Sequence, residues 1–150
     1  MPPRRSSGIL LFRRTPELQV LLGHMGGPFW TRKDEHAWSI PKGEHEPDED
    51  AETAARREYA EETGHPAPAQ LLPLGVVRGS KVLTAWAAEG DLDPATVVSN
   101  TFDLEWPPRS GRVQQFPELD RAAWFDLPTA RTKLVKGQLP FLDRLVDALA

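Results

Sequence analysis

Apolar residues fall into short blocks along the chain, and their spacing alternates between strand-like and helix-like. Gly8–Arg14 (GILLFRR) and Leu18–His24 (LQVLLGH) flank Thr15-Pro16-Glu17, the pattern of two strands joined as a hairpin. Met1–Ser7, ahead of them, is short and basic and reads as a frayed start. Met25–His36 mixes glycine, proline and charge around Phe29 and Trp30 and reads as a loop. Trp38-Ser39-Ile40 is a brief apolar run that leads through Pro41-Lys42 into a polar stretch. That stretch lacks Gly and Pro from Asp48 to Thr63 and is rich in Ala, Glu and Arg, which predicts a helix. Asp48 or Asp50 can cap its start, Gly64 stands where a terminating glycine belongs, and Pro66 blocks continuation.

Beyond the helix, Leu71–Arg78 and Lys81–Glu89 read as strands joined by a tight turn at Gly79-Ser80. Gly90–Pro117 carries Pro94, Pro107, Pro108 and Pro117 without clear periodicity, as a binding loop or lid would. Leu119–Leu127 contains a strand centred on Ala123-Trp124-Phe125, and Pro128–Lys136 a short helix. Leu139–Ala150 places Phe141, Leu142, Leu145, Val146 and Leu149 at amphipathic helical spacing. Strands, a helix, more strands and a terminal helix predict an α/β protein with a mixed sheet, one domain over residues 1–150.

Within the polar helix, Glu58, Glu61 and Glu62 are spaced i, i+3, i+4 and share one side. Like charges at that spacing cost a bare helix roughly 0.2–0.5 kcal/mol per pair. A positive partner among them removes the cost, and a hard divalent cation such as Mg²⁺ suits carboxylate oxygens.

Gly43, Glu49 and the run Arg57-Glu58-Tyr59-Ala60-Glu61-Glu62-Thr63-Gly64 match the Nudix box, G-x5-E-x7-R-E-U-x-E-E-x-G-U with U a bulky apolar residue. The chain therefore resembles the Nudix hydrolases. It departs from the pattern at His65, where an aliphatic residue is usual, and more mildly at Tyr59. The resemblance implies the Nudix fold, an α/β/α sandwich. It also implies a pyrophosphohydrolase that uses Mg²⁺, with Mn²⁺ able to stand in for it, to cleave phosphoanhydrides with activated water. Glu58, Glu61 and Glu62 then look like the metal-holding set, joined by the backbone at Lys42 and Gly43, with Glu58 a candidate base. Arg57 looks like an orienting residue paired with Glu49 or the glutamates.

Trp38-Ser39-Ile40-Pro41-Lys42-Gly43 is similar to the W-x-x-P-K-G approach of the dinucleoside tetraphosphate hydrolase branch, which implies phosphate contacts by Lys42 and Lys81. Glu118, six residues before Trp124, is similar in spacing to a metal-binding glutamate of that branch, and reads equally as a strand-end surface acid. Glu105 is a weaker alternative. Ala85 and Ala37 stand where that branch carries a tyrosine and a histidine, so base stacking falls to Trp30, Trp86 or Trp106. Trp86 and Trp124 lie on apolar strands and read as core. Trp106, with Arg109 and Arg112 nearby, is the better candidate for a substrate lid.

Composition narrows the rest. The sequence has 150 residues, 39% hydrophobic and 27% charged, enough for a core. The absence of cysteine excludes disulfides, thiolate-bound zinc and a cysteine nucleophile and suits a cytoplasmic setting. No run approaches a membrane span, and the N-terminus lacks a signal-like apolar region. Gly43–Gly64 holds nine of the 22 acidic residues against two basic ones, while the net charge is only −4. The remainder is thus mildly basic, which suits an anionic substrate bridged through metal and argues against a nucleic-acid binder. Dinucleoside polyphosphates and nucleoside triphosphates head the substrate classes. An RNA 5′ end, a nucleotide sugar, an inositol pyrophosphate and a non-catalytic nucleotide sensor are the alternatives, and a homodimer stays open.

Overall fold

The computed structural model describes residues 4–150. Its strands are β1 (Arg4–Arg13), β2 (Gln19–Met25), β3 (Trp38–Ser39), β4 (Lys42–His45), β5 (Leu72–Arg78), β6 (Lys81–Glu89), β7 (Thr101–Glu105), β8 (Val113–Pro117) and β9 (Leu119–Asp126). Its helices are α1 (Ala51–Thr63), α2 (Leu127–Lys133) and α3 (Pro140–Leu149). Seven strands form a mixed sheet in which β1 is central, parallel to β6 along its length.

On its other edge β1 is divided. Phe12 and Arg13 pair with β2, whereas Arg5–Gly8 pair antiparallel with β4. The two strands of the first hairpin therefore splay apart. Residues Trp38–His45 fill the gap, bonding first to β2 through β3 and then to β1 through β4. This wedge sets Lys42 and Gly43 beside the middle of the sheet.

Alternation along β1 divides the core. Leu10 and Phe12 pack with Val20, Leu22, Ala130, Phe141, Leu142 and Leu145, under α2 and α3. Ile9 and Leu11 pack with Leu21, Ala55, Tyr59 and Ala88, under α1. The result is a mixed sheet with a helical layer on each face, the α/β/α arrangement that the resemblance implies.

Two expectations need correction. Arg4–Ser7 is not frayed: it is strand, and Ser6 and Ser7 are buried because β4 and β6 pair with it from both sides (Met1–Pro3 lie outside the described residues). Gly90–Pro117 is not an irregular loop. It holds a 3₁₀ turn at Pro94–Thr96 and a β7–β8 hairpin that stands off the main sheet. Phe102 and Leu104 alternate inward along β7, a two-residue period interrupted too soon by proline to declare itself.

The box helix begins at Asp50, whose side chain accepts a hydrogen bond from the Thr53 N–H at 3.0 Å, and ends on Gly64 at φ 77°. Two further carbonyls of its last turn are used: the Val98 N–H donates to Thr63 O and the Asn100 N–H to Glu61 O. Replacing Asp50 by alanine should cost about 1 kcal/mol. Thermal denaturation should show a midpoint lower by about 2–4 °C; an unchanged midpoint would mean that the cap contributes nothing.

Candidate active site

Gly43 on β4 faces α1 so closely that a Cβ built there would overlap the Glu58 carboxylate. Glycine is required at this point because the sheet backbone and the helix acid occupy the space of a side chain. Glu58 and Glu62, one turn apart, are both buried, 7% and 5% exposed. Glu61 lies further out with about two-fifths of its side chain exposed.

Arg57 organises the first part of this cluster. Its Nη2 and Nε donate to Glu49 at 2.9 and 3.1 Å, and its Nη1 donates to Glu58 at 2.9 Å and Glu61 at 3.3 Å. The positive partner expected among the glutamates is thus partly the chain's own guanidinium, and the Glu49 pairing expected of Arg57 is present.

Glu62 has no such partner among the described residues. It lines a cleft of about 150 Å³ with Lys42, Glu118, Ser39, Trp30 and Phe102. Glu118 is carried there by the junction of β8 and β9, where its N–H donates to Asn100 O and its carbonyl accepts from the Gly26 N–H. Burial, then the neighbouring Glu118 and Glu58, pushes the Glu62 carboxyl up to about 8. Burial likewise raises Glu118, and burial with the Glu61 charge raises Glu58. Lys42 is held below its ordinary range by desolvation first and by Lys81 second.

These groups fit a hard divalent cation. Among the described residues no three acidic or imidazole groups already form a closed cage, since Glu58 and Glu61 lean onto Arg57. The donor set is nonetheless all oxygen, crowded and incompletely neutralised, which is the chemistry Mg²⁺ or Mn²⁺ satisfies.

The other sequence candidates lie further out. Lys81 is ion-paired with Glu44 at 2.6 Å. Trp106 packs edge-on against Phe29, centroids 5.4 Å apart, near the free end of the β7–β8 hairpin, and Phe29 is 59% exposed. Arg109 adopts φ 61° with its N–H donating to the Glu105 carboxylate at 2.9 Å, so Glu105 braces the hairpin turn. Arg112 is exposed, its N–H bonded to Ser110. Trp86 and Trp124 pack against the core layer beneath α1. Sequence reasoning ranked Trp30 below Trp106, yet Trp30 lines the cleft, and Phe102, from the hairpin, was missed altogether.

The sequence matches the NUDIX domain profile over residues 2–145. The chain belongs to the NUDIX family. With the glycine, glutamate and arginine positions of its box all present, it is a Nudix-type pyrophosphohydrolase. No match was found among curated proteins. Among solved structures, the Nudix chain is similar to the C. elegans Ap4A hydrolase in a binary complex (TM-score 0.64, 22% identity, 96% of each chain). It is also similar to the NUDIX domain of Shewanella oneidensis NrtR complexed with ADP ribose (TM-score 0.67, 20% identity, 100% of this chain and 90% of that one). A mutT/nudix family protein from Listeria innocua is a third (TM-score 0.63, 22% identity, 99% and 95%). At these identities the likeness is one of fold: a mixed sheet between helices.

The raised carboxyls carry a sign that can be tested. In metal-free protein a Glu62 held near 8 binds its proton more tightly folded than unfolded, so stability falls as pH rises from about 4.5 through about 8. A cation held by Glu62 would displace that proton and recover the loss. The Mg²⁺-induced rise in melting temperature is therefore expected to be larger at pH 9 than at pH 6. An equal rise at both would show that Glu62 does not face the ion.

Proposed function

We propose that this Nudix hydrolase is metal-dependent and cleaves a phosphoanhydride in a nucleoside diphosphate-linked compound, a dinucleoside polyphosphate or a nucleoside triphosphate. One observation carries the reading: Lys42, Glu62 and Glu118 share a single cleft beside the Arg57-bound Glu58. A lysine among crowded acids suits a substrate that is itself anionic and arrives with cations. Glu58, Glu61, Glu62 and Glu118, with the backbone at Lys42 and Gly43, would hold the ion. When bound, it would supply Lewis acidity and a water of lowered pKa.

The chain's own residues would do the remainder. Arg57 fixes Glu58 and Glu61 in place through Glu49. Glu58, held by the Arg57 guanidinium beside the cleft, is the candidate to take the proton from the attacking water. Lys42 places an ammonium at a non-bridging phosphate oxygen and opposes charge building on the leaving phosphate. Trp30 and Phe102 supply aromatic surface on the cleft wall.

Two of the similar structures bear on the substrate, one an Ap4A hydrolase and the other a domain bound to ADP ribose. Each name describes a nucleoside joined through phosphates to a second group. The second supports keeping nucleotide sugars as the alternative class.

Hydrolysis in ¹⁸O-labelled water, with products separated chromatographically, tests the reaction. Activity should require Mg²⁺ or Mn²⁺, vanish with excess chelator, and fall on the order of a hundredfold or more in E58Q and E62Q. Turnover that survives chelation would exclude the metal mechanism. The aromatic tip is tested separately: W106A and R109A should raise KM severalfold with kcat retained if the hairpin covers substrate. Unchanged KM in both would remove it from the binding surface.

A further inference from the structure

One imidazole is enclosed by the fold and bonded at both of its nitrogens. His24, on β2, is 0% exposed. Its Nε2 donates to the Lys33 carbonyl at 2.6 Å and its Nδ1 to an Asp120 carboxylate oxygen at 2.9 Å. An apolar side chain would fill this space without two polar nitrogens to satisfy. What the imidazole adds is a tie between two distant parts of the chain. On one side is the turn in which the Lys33 N–H donates to Trp30 O at 2.9 Å. On the other is the start of β9, immediately after Glu118. Both Trp30 and Glu118 line the carboxylate cleft.

Asp120 holds a special place in the sheet. β2 and β9 pair without a break from Gln19 opposite Asp126 to His24 opposite Arg121, but the next pair is Met25 with Leu119. Asp120 is therefore the extra residue of a β-bulge. A slip of one residue exchanges the faces of the side chains beyond it, so the bulge decides which way Leu119 and Glu118 point. With it in place, Leu119 packs over Gly23, where a Cβ would overlap it, and Glu118 reaches the cleft. The Gly26 N–H then bonds Glu118 O at 2.9 Å and closes the pairing beyond the bulge.

The ladder leaves the extra residue without a pairing partner. Its side chain is held instead from the facing strand, by His24. Arg121 also reaches the Asp120 carboxylate, at 3.4 Å, but from the same strand, so it does not join the two. We infer that His24 is a positioning residue of the hydrolytic site: it fixes the Asp120 bulge and the Lys33 turn, and thereby sets Glu118 and Trp30 on the walls of one cleft. The inference rests on reading that cleft as the site of hydrolysis.

The experiment compares the whole protein with D120A, D120N, H24L, E118Q and the D120A/E118Q double variant. Two quantities are read: kcat for a nucleoside triphosphate at saturating Mg²⁺, and Mn²⁺ affinity by calorimetry without substrate. D120A should lower each by about tenfold or more, as loss of a group that orients a metal-facing side chain does. D120N, whose amide oxygen still accepts from Nδ1, should keep both within about threefold of the parent. In the E118Q background D120A should cost nothing further, because the residue it positions is already gone. H24L, which also frees Lys33, should lower kcat as D120A does and raise KM as well.

A D120A loss that multiplies through undiminished in E118Q would overturn the inference, since general damage to packing acts that way. So would D120N as impaired as D120A, or a D120A protein that melts lower yet keeps kcat and Mn²⁺ affinity. Should H24L fail to fold, D120A decides alone, its side chain being 28% exposed and outside the core. A parent protein inert towards every phosphoanhydride would overturn the hydrolase reading instead. A crystal structure of D120A would still decide the positioning: Glu118 turned out of the cleft supports it, and Glu118 unmoved overturns it.

Discussion

Two glutamates buried one turn apart, against a sheet backbone that leaves no room for a side chain, form the constraint around which this molecule is arranged. Carboxylates taken out of water beside one another are costly to ionise, and a protein keeps them only with positive charge at hand. Here a single guanidinium, held by Glu49, also reaches Glu58 and Glu61. Among the described residues, Lys42 is the basic side chain that lines the cleft with Glu62 and Glu118. The incompletely balanced half of the cluster is the half that opens to the cleft. An arrangement that served stability alone would do better with apolar residues in these places.

The fold delivers that cluster by a simple device. Parting β1 from β2 makes a gap in the sheet, and the Trp38–His45 wedge fills it with a backbone that touches α1 at Gly43. The same wedge turns Lys42 to the opposite face, from which it reaches the cleft. Alternation along four residues of β4 thus divides labour between the two faces: Gly43 admits the helix acid and Lys42 addresses the cleft. The 96–100 segment continues the connection, taking up the last carbonyls of α1 and then accepting the Glu118 N–H at Asn100. Helix and late strand are therefore tied by backbone bonds, which fix side chains more firmly than surface ion pairs do.

Much of this was readable beforehand because local chemistry and final structure agree. The α1 limits follow from Asp50 and Gly64, the β5–β6 hairpin from Gly79-Ser80, and α3 from its apolar spacing. The box residues were legible for the same reason: they are close in sequence and fixed by one helix. What escaped depended on partners far along the chain. Arg4–Ser7 has no apolar signal and is ordered only by strands on both sides of it. Phe102 and Trp30 meet at the cleft only because the β7–β8 hairpin folds back over the Met25–His36 loop, where Phe102 lies against Gly27.

The central claim is that the buried acids are kept for a cation. Anomalous diffraction at the manganese edge, from crystals grown with Mn²⁺, tests it most directly. The account predicts a peak within coordination distance of Glu62 and at least one of Glu58 and Glu118. A fully occupied peak elsewhere, or none at saturating Mn²⁺ with the glutamates still turned to Arg57, would contradict it.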